Sequence, residues 1–267
     1  MPDHRAGFFQ GTEMPTAGWW EALWPDPAGV LAAVGLRAGM NVVDLCSGDG
    51  WFTLQIAKVA RHVSAIDIDP TLLEIARHRL AENGISNCDF VPGDAYDIAK
   101  LTAPADFVFL ANAFHGVPDH ARLAEAVRTT LKPDGSFVIV NWHKRPREET
   151  PILGEPRGPK TELRMSPEET ITSVEKGGLK LKKIVEVPPY HYGAVFTRDA
   201  EYHPSPNPGQ SYDNRLLREL RSEAQMMEVL SNHPNIVKFV GTVTQGTPPC
   251  CYFVTNVVLL QLLLFSL

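Results

Sequence analysis

Two short runs constrain this chain more than anything else in it. The first is Val42-Val43-Asp44-Leu45, which breaks into Cys46-Ser47-Gly48-Asp49-Gly50 and continues as Trp51-Phe52. The second is His62-Val63-Ser64-Ala65-Ile66-Asp67-Ile68-Asp69. The first reads as a buried strand, a glycine-rich turn and the start of a helix. The second reads as another strand ending in acid. Strand, glycine turn, helix and an acid at the next strand tip form a nucleoside-binding layout. Gly48 and Gly50 fill two places of a G-x-G-x-x-G dinucleotide turn, but Thr53 stands at the third. No Lys-Ser/Thr follows the turn, which excludes a P-loop.

The order Asp44-Leu45-Cys46-Ser47-Gly48-Asp49-Gly50 resembles the first motif of class I S-adenosylmethionine-dependent methyltransferases: acid, apolar, Gly, x, Gly, x, Gly. Cys46 stands where that family usually has its first glycine, and it is small enough for close packing. The resemblance implies that Asp44, Cys46, Gly48 and Gly50 flank the amino-acid end of S-adenosyl-L-methionine. It implies that Asp67 grips the ribose hydroxyls and that Ile68 lies against the adenine. Gly93-Asp94-Ala95 matches the stretch whose acid accepts from the adenine amino group, although Asp94 is also a candidate helix N-cap. Ala105 to Asn112 resembles the fourth strand, with Asn112-Ala113-Phe114-His115 at its active-site end and Asn112 among the cofactor-binding positions. Leu131 to Val140 resembles the helix end, turn and fifth strand. The set covers about residues 25–198 and looks most like the small-molecule enzymes of ubiquinone and menaquinone biosynthesis.

The rest of that span alternates strand and helix patterns. Thr71 to Glu82 repeats apolar residues at helical spacing and stops at Asn83-Gly84. Short apolar strands between amphipathic helices predict an α/β fold, a doubly wound, mostly parallel seven-stranded Rossmann-like sheet with helices on both faces. Ser166-Pro167-Glu168-Glu169 is a capping-box signal with proline at the first helical place. The alternating runs Leu179 to Val187 and Tyr192 to Thr197 then predict a terminal antiparallel strand pair. That pair suits a methyltransferase sheet better than a dehydrogenase.

Three flanking or inserted segments stand apart. Residues 1–24 are rich in aromatics (Phe8, Phe9, Trp19, Trp20, Trp24), which either cover the cofactor and acceptor pocket or dock on the core. Lys144 to Lys160, rich in proline, glycine and charge, is either a lid or a plain loop. From Tyr202 the character changes. Residues 199–212 read as a proline-rich linker, and residues 213–267 resemble an incomplete protein-kinase N-lobe, with Glu223 at the C-helix acid position and His233-Pro234-Asn235-Ile236-Val237 at its turn. The glycine loop, lysine strand, catalytic loop and Asp-Phe-Gly are absent from it. Its end, Val257 to Leu267, is almost wholly apolar but shorter than the roughly 20 residues of a membrane helix. It reads as a fusion junction or a docking extension.

The net charge of −6 and the lack of a dense Lys/Arg stripe argue against a nucleic-acid partner. Neither an Asn/Asp-Pro-Pro-aromatic run nor a Pro-Cys nucleophile follows the fourth strand, so the expected acceptor is a small molecule. Four cysteines form no disulfide framework and fit no metal site, and the start lacks a signal peptide, which points to the cytoplasm. No membrane span is expected, and nothing in the sequence sets an oligomeric state. His115 and His143 are the candidate catalytic residues, because both fall at the ends of the fourth and fifth strands, where a base would meet an O, N or C acceptor. The competing readings are a cofactor-binding scaffold without catalysis and, more remotely, an NAD(P)-dependent oxidoreductase.

Overall fold

The computed structural model describes residues 17–198 and, further along, 238–243, 250–254 and 259–262. The chain divides into two units, Met1–Glu201 and Tyr202–Leu267.

The first unit is built on a seven-stranded sheet. Its strands are β1 (Asn41–Leu45), β2 (His62–Asp67), β3 (Cys88–Pro92), β4 (Ala105–Ala111), β5 (Leu131–Trp142), β8 (Leu179–Val187) and β9 (His191–Arg198); a two-stranded ribbon, β6 (Pro151–Ile152) and β7 (Glu155–Pro156), lies between β5 and β8 in sequence. The order across the sheet is β3-β2-β1-β4-β5-β9-β8. Strands β1 to β5 are parallel, while β9 runs antiparallel to both β5 and β8. The expected terminal pair is therefore a hairpin whose return strand inserts beside β5, and only β9 runs against the rest. Insertion also explains why His191 to Phe196 are buried on both faces, where the alternating pattern suggested a half-wet strand. The edge strand β8 alternates only as far as a bulge between Leu181 and Lys183, which leaves two neighbouring lysines exposed. Lys180, Lys182 and Lys183 are on its wet side, and Lys183 Nζ donates to the Ala33 carbonyl at 2.8 Å.

Helices α1 (Ala17–Leu23), α2 (Pro27–Val34), α3 (Trp51–Ala57), α4 (Pro70–Glu82), α5 (Ile98–Leu101), α6 (His120–Thr130) and α7 (Pro167–Glu175) cover the sheet. Their starts follow side-chain capping. Asp26, Asp69 and Asp119 accept from backbone amides at the N-termini of α2, α4 and α6. Ser166 and Glu169 close the reciprocal capping box of α7, with Pro167 at the first turn. Two apolar clusters fill the faces. One gathers Val42, Phe107, Phe109, Val138 and Val140 with the tryptophans; the other gathers Val43, Leu110, Phe137, Ile139 and Phe196.

In the second unit, β10 (Lys238–Val243), β11 (Cys250–Val254) and β12 (Leu259–Leu262) form an antiparallel sheet in that order. Phe8, Phe9, the linker residues, Glu223 and the His-Pro-Asn turn lie outside the described residues. Among the described residues no helix is long and apolar enough to cross a membrane.

Candidate active site

The order of the sheet reverses at β1, which has β2 on one side and β4 on the other. Ligands of open α/β sheets sit at such a point, beyond the carboxyl ends of the strands. Asp44, Cys46, Gly48, Gly50, Asp67 and Ile68 lie along the end of β1, its loop and the tip of β2, and Asn112 and His115 follow the end of β4.

The loop after β1 is a run of left-handed backbone, with φ of 58° at Cys46, 56° at Gly48 and 78° at Gly50. Glycine takes this conformation freely, whereas a side-chain-bearing residue pays roughly 1–2 kcal/mol for it. The position where the resembling family has its first glycine thus demands left-handed backbone, and Cys46 occupies it under strain. Gly50 has a second reason to be glycine. A Cβ there would lie 2.6 Å from Ala76 Cβ and 2.9 Å from its Cα, so α3 and α4 approach through the missing side chain.

Asp67 anchors this loop. Its Oδ2 accepts from the Gly48 amide at 2.8 Å and its Oδ1 from the Asp69 amide at 2.9 Å. Asp69 in turn caps α4. Asp44 lies beneath, accepting the Thr53 hydroxyl at 2.5 Å. Asp49 accepts from Arg79 Nη2 at 2.6 Å, tying the loop to α4. All three carboxylates are buried. Burial pushes Asp44 up to about 7, with the Thr53 bond opposing and the neighbouring Asp67 and Asp49 charges adding to the rise. Burial also raises Asp49 and Asp67, against their hydrogen bonds. Of these three buried carboxylates only Asp49 meets a cation among the described residues, Arg79, so the site has unmatched demand for positive charge.

That demand is the test of fit for the implied cofactor. S-adenosylmethionine carries a sulfonium and an ammonium group, and both suit this pocket. A dinucleotide would bring two phosphates against the same carboxylates. Ile68 is half-buried beside Asp67, as an adenine-facing residue would be. Asp94 accepts from the Tyr96 amide at 2.9 Å, so the capping role is present, and Ala95 behind it is buried.

The far wall comes from β4, β5 and β9. Asn112 also has left-handed backbone, φ 56°, which Asn tolerates better than most residues. Its Oδ1 lies 3.0 Å from His191 Nε2, which fixes the proton on that nitrogen and leaves Nδ1 as a bare lone pair. His115 is buried, its Nδ1 lies 3.3 Å from Asn141 Oδ1, and its Nε2 is left as the acceptor. Burial draws His115 down to about 4, against the Asn141 bond, and pushes His191 well below its ordinary value. Both rings are neutral in ordinary buffers. Asn112 Nδ2, His115 Nε2 and His191 Nδ1 have no hydrogen-bond partner among the described residues. His143, one residue past β5, is placed differently. Its Nε2 meets Glu186 on β8 at 3.0 Å, on a partly exposed flank.

Tryptophans close the site. Trp20 stacks on Trp51 at 5.8 Å, and Trp24 packs on Phe52 at 5.1 Å and on His191 at 4.7 Å. Trp19 reaches Trp142, whose ring lies 4.1 Å from His191. Of the amino-terminal aromatics, Trp19, Trp20 and Trp24 dock on the core beside His191. His191 was missed in the sequence because it lies in a turn-like Pro-Pro-Tyr-His run. Only the pairing of Trp142 with His191 across β5 and β9 brings it in.

Comparison with known proteins agrees with this geometry. A methyltransferase domain model matches residues 42–135. The ubiquinone biosynthesis O-methyltransferase of Xylella fastidiosa (strain 9a5c) is 30% identical over 133 residues, 46% of this chain and 54% of that protein. The demethylmenaquinone methyltransferase of Staphylococcus aureus (strain MRSA252) is 29% identical over 114 residues, covering 42% and 46%. The chain thus spans about half the length of these curated relatives. The crystal structure of a SAM dependent methyltransferase from Aquifex aeolicus superposes with a TM-score of 0.59 at 26% identity, over 68% of this chain and 93% of that one. The first unit has the fold of class I S-adenosylmethionine-dependent methyltransferases, a methyltransferase domain model matches its residues 42–135, and S-adenosylmethionine is the cofactor its loop suits.

Proposed function

We propose that the protein transfers a methyl group from S-adenosylmethionine to a hydroxyl of a small molecule. The observation that carries this reading is the cluster of Asp44, Asp49 and Asp67 under a left-handed glycine loop, which favours a cationic nucleoside over a diphosphate. When bound, the cofactor supplies an electrophilic methyl group and a neutral thioether leaving group. Asp67 and Asp94 hold the nucleoside end, and Asp44 with the Cys46–Gly50 loop faces the amino-acid end.

The chain's own part is to bind, orient and take a proton. His115 is the base in this reading: its Nε2 is buried, unprotonated and without a hydrogen-bond partner among the described residues. It accepts the hydroxyl proton as the oxygen forms its bond to carbon. His191 Nδ1 is a second acceptor, oriented by Asn112. The tryptophan wall excludes water. His143 is assigned no proton transfer here, because its imidazole is engaged by Glu186. A cytoplasmic setting is part of this reading, since a reducing compartment keeps thiols such as those of Cys46 and Cys88 free.

The test is incubation of the full chain with methyl-labelled S-adenosylmethionine and a panel of phenols and catechols. Label in at least one acceptor, lost by at least about a hundredfold in His115→Ala, is expected. Cofactor binding with no transfer to any acceptor would favour the non-catalytic scaffold instead.

A further inference from the structure

Arg164 is a buried cation that forms no ion pair among the described residues, Glu148 acting on it only through space. It stands at the end of the Lys144–Arg164 strap, three residues before α7, and is 2% exposed. Its Nε donates to the Pro159 carbonyl at 3.1 Å. Its Nη2 donates to Thr150 Oγ1 at 2.9 Å and to the Arg157 carbonyl at 2.8 Å. These acceptors are all neutral. Nη1 is buried and has no hydrogen-bond partner among the described residues, and Arg164 joins no ion pair among them. A charge removed from water without a counter-charge is costly, and buried charges are as a rule paired.

The strap adds to the excess. Residues 144–164 hold six cations, Lys144, Arg145, Arg147, Arg157, Lys160 and Arg164, against four carboxylates, in a chain whose net charge is −6. Burial brings the Arg164 guanidinium down to about 10, with Arg147 and Arg145 pushing the same way against Glu148, so it stays charged at neutral pH.

The position of the guanidinium joins it to the acceptor side of the site. It lies over the Trp142 ring, 4.8 Å from the centroid. The same ring is 4.1 Å from His191. After burial, Arg164 is the strongest charge acting on His191, and it acts on His115 in the same sense. Gly158 lets the strap lie on this indole, since a Cβ there would be 2.6 Å from Trp142 Cε2. Arg164 and His191 thus pack on the same indole, and Arg164 Nη1, His191 Nδ1 and His115 Nε2 are each buried without a hydrogen-bond partner among the described residues.

We propose that Arg164 is a specificity-determining residue that receives a carboxylate carried by an aromatic methyl acceptor, so that acidic acceptors are chosen over their uncharged analogues. This rests on the methyltransferase reading only for the word acceptor; the anion site itself stands on Arg164. Binding a carboxylate completes the guanidinium's donors and neutralises the buried charge, and the tryptophan wall takes the ring. Nη1 is closed to solvent, so the acceptor enters when the strap shifts off Trp142.

The experiment is calorimetric titration of the full chain with 3,4-dihydroxybenzoate and 3-hydroxy-2-naphthoate, each beside its own primary carboxamide. At least one acid should bind about tenfold or more tightly than its amide, the range of a charged hydrogen bond. Arg164→Gln should remove that preference while leaving amide affinity in place, and Arg164→Lys should keep part of it. No acid preference in the unaltered protein, or no binding of either acid, overturns the proposal without reference to any variant. So does a preference that survives Arg164→Gln, or an equal loss for acid and amide, which would assign Arg164 to holding the strap. S-adenosylhomocysteine titrated into the same samples separates the two readings. If it binds while no acid is preferred, this inference alone falls; if an acid is preferred and it does not bind, only the methyltransferase reading falls.

Discussion

Replacing Asp44 by Asn should make the cofactor-free protein more stable, and increasingly so as pH rises. Asp44 titrates near 3.8 in an unfolded chain and at about 7 in the fold. Between those values the folded state holds a proton that the unfolded state has lost. Stability from this group is therefore fully present below pH 4 and drains away as pH climbs through 7. The climb corresponds to about 4 kcal/mol in all, at about 1.4 kcal/mol for each pH unit. Asn keeps an oxygen for the Thr53 hydroxyl and is neutral throughout. His115 and His191, which lose stability in the opposite direction as pH falls below their ordinary range, act on both proteins alike and cancel in the difference. Urea unfolding of the two cofactor-free proteins from pH 4.5 to 8 should show a gap of about 1 kcal/mol at the acid end. The gap should widen to as much as about 4 kcal/mol in favour of Asp44→Asn at pH 8. A gap that stays flat with pH, or a variant less stable at pH 8, would refute the claim that this carboxylate is buried without a counter-charge.

Other consequences follow from the same loop and wall. Gly50→Ala combines a left-handed backbone with a Cβ 2.6 Å from Ala76, and should lower stability by about 2–4 kcal/mol in denaturant titration. Cys46→Val should cost about 2 kcal/mol in the same assay, because a β-branched residue is poorly suited to φ 58°, while Cys46→Gly should cost nothing measurable. Since burial holds His115 near 4, kcat/KM for the acceptor, measured with S-adenosylmethionine saturating at every pH so that Asp44 does not enter, should not fall across the ordinary imidazole range on acidification from pH 7.5 to 5.5; a fall centred near 6.5 would mean a different base.

How much of this was legible in the sequence depends on the range over which each feature is determined. The glycine loop, the acid-tipped second strand and the α7 capping box are each written within a few residues, and all appear where local chemistry placed them. Cys46 was read as tolerable because it is small; the relevant demand there is backbone conformation, which size does not report. The Tyr192 to Thr197 run alternates, yet it is buried on both faces because it inserts between β5 and β8, a fact of topology that no local pattern carries. His191 and Arg164 escaped notice for the same reason. The first enters through its pairing with Trp142, and the second through a strap folded back on that indole. His143 stood at a strand end like His115, but its ring meets Glu186, and the sequence could not tell the two apart.

The central claim is that the loop after β1 and the acid at the tip of β2 bind a cationic nucleoside. Calorimetric titration of S-adenosylmethionine, and separately of NAD, into the full chain and into Asp67→Ala tests it most directly. Binding of S-adenosylmethionine alone, weakened at least about tenfold by the loss of a charged hydrogen-bonding group at Asp67, is the expected result. Binding of NAD, or no binding of S-adenosylmethionine to the folded protein, would contradict it.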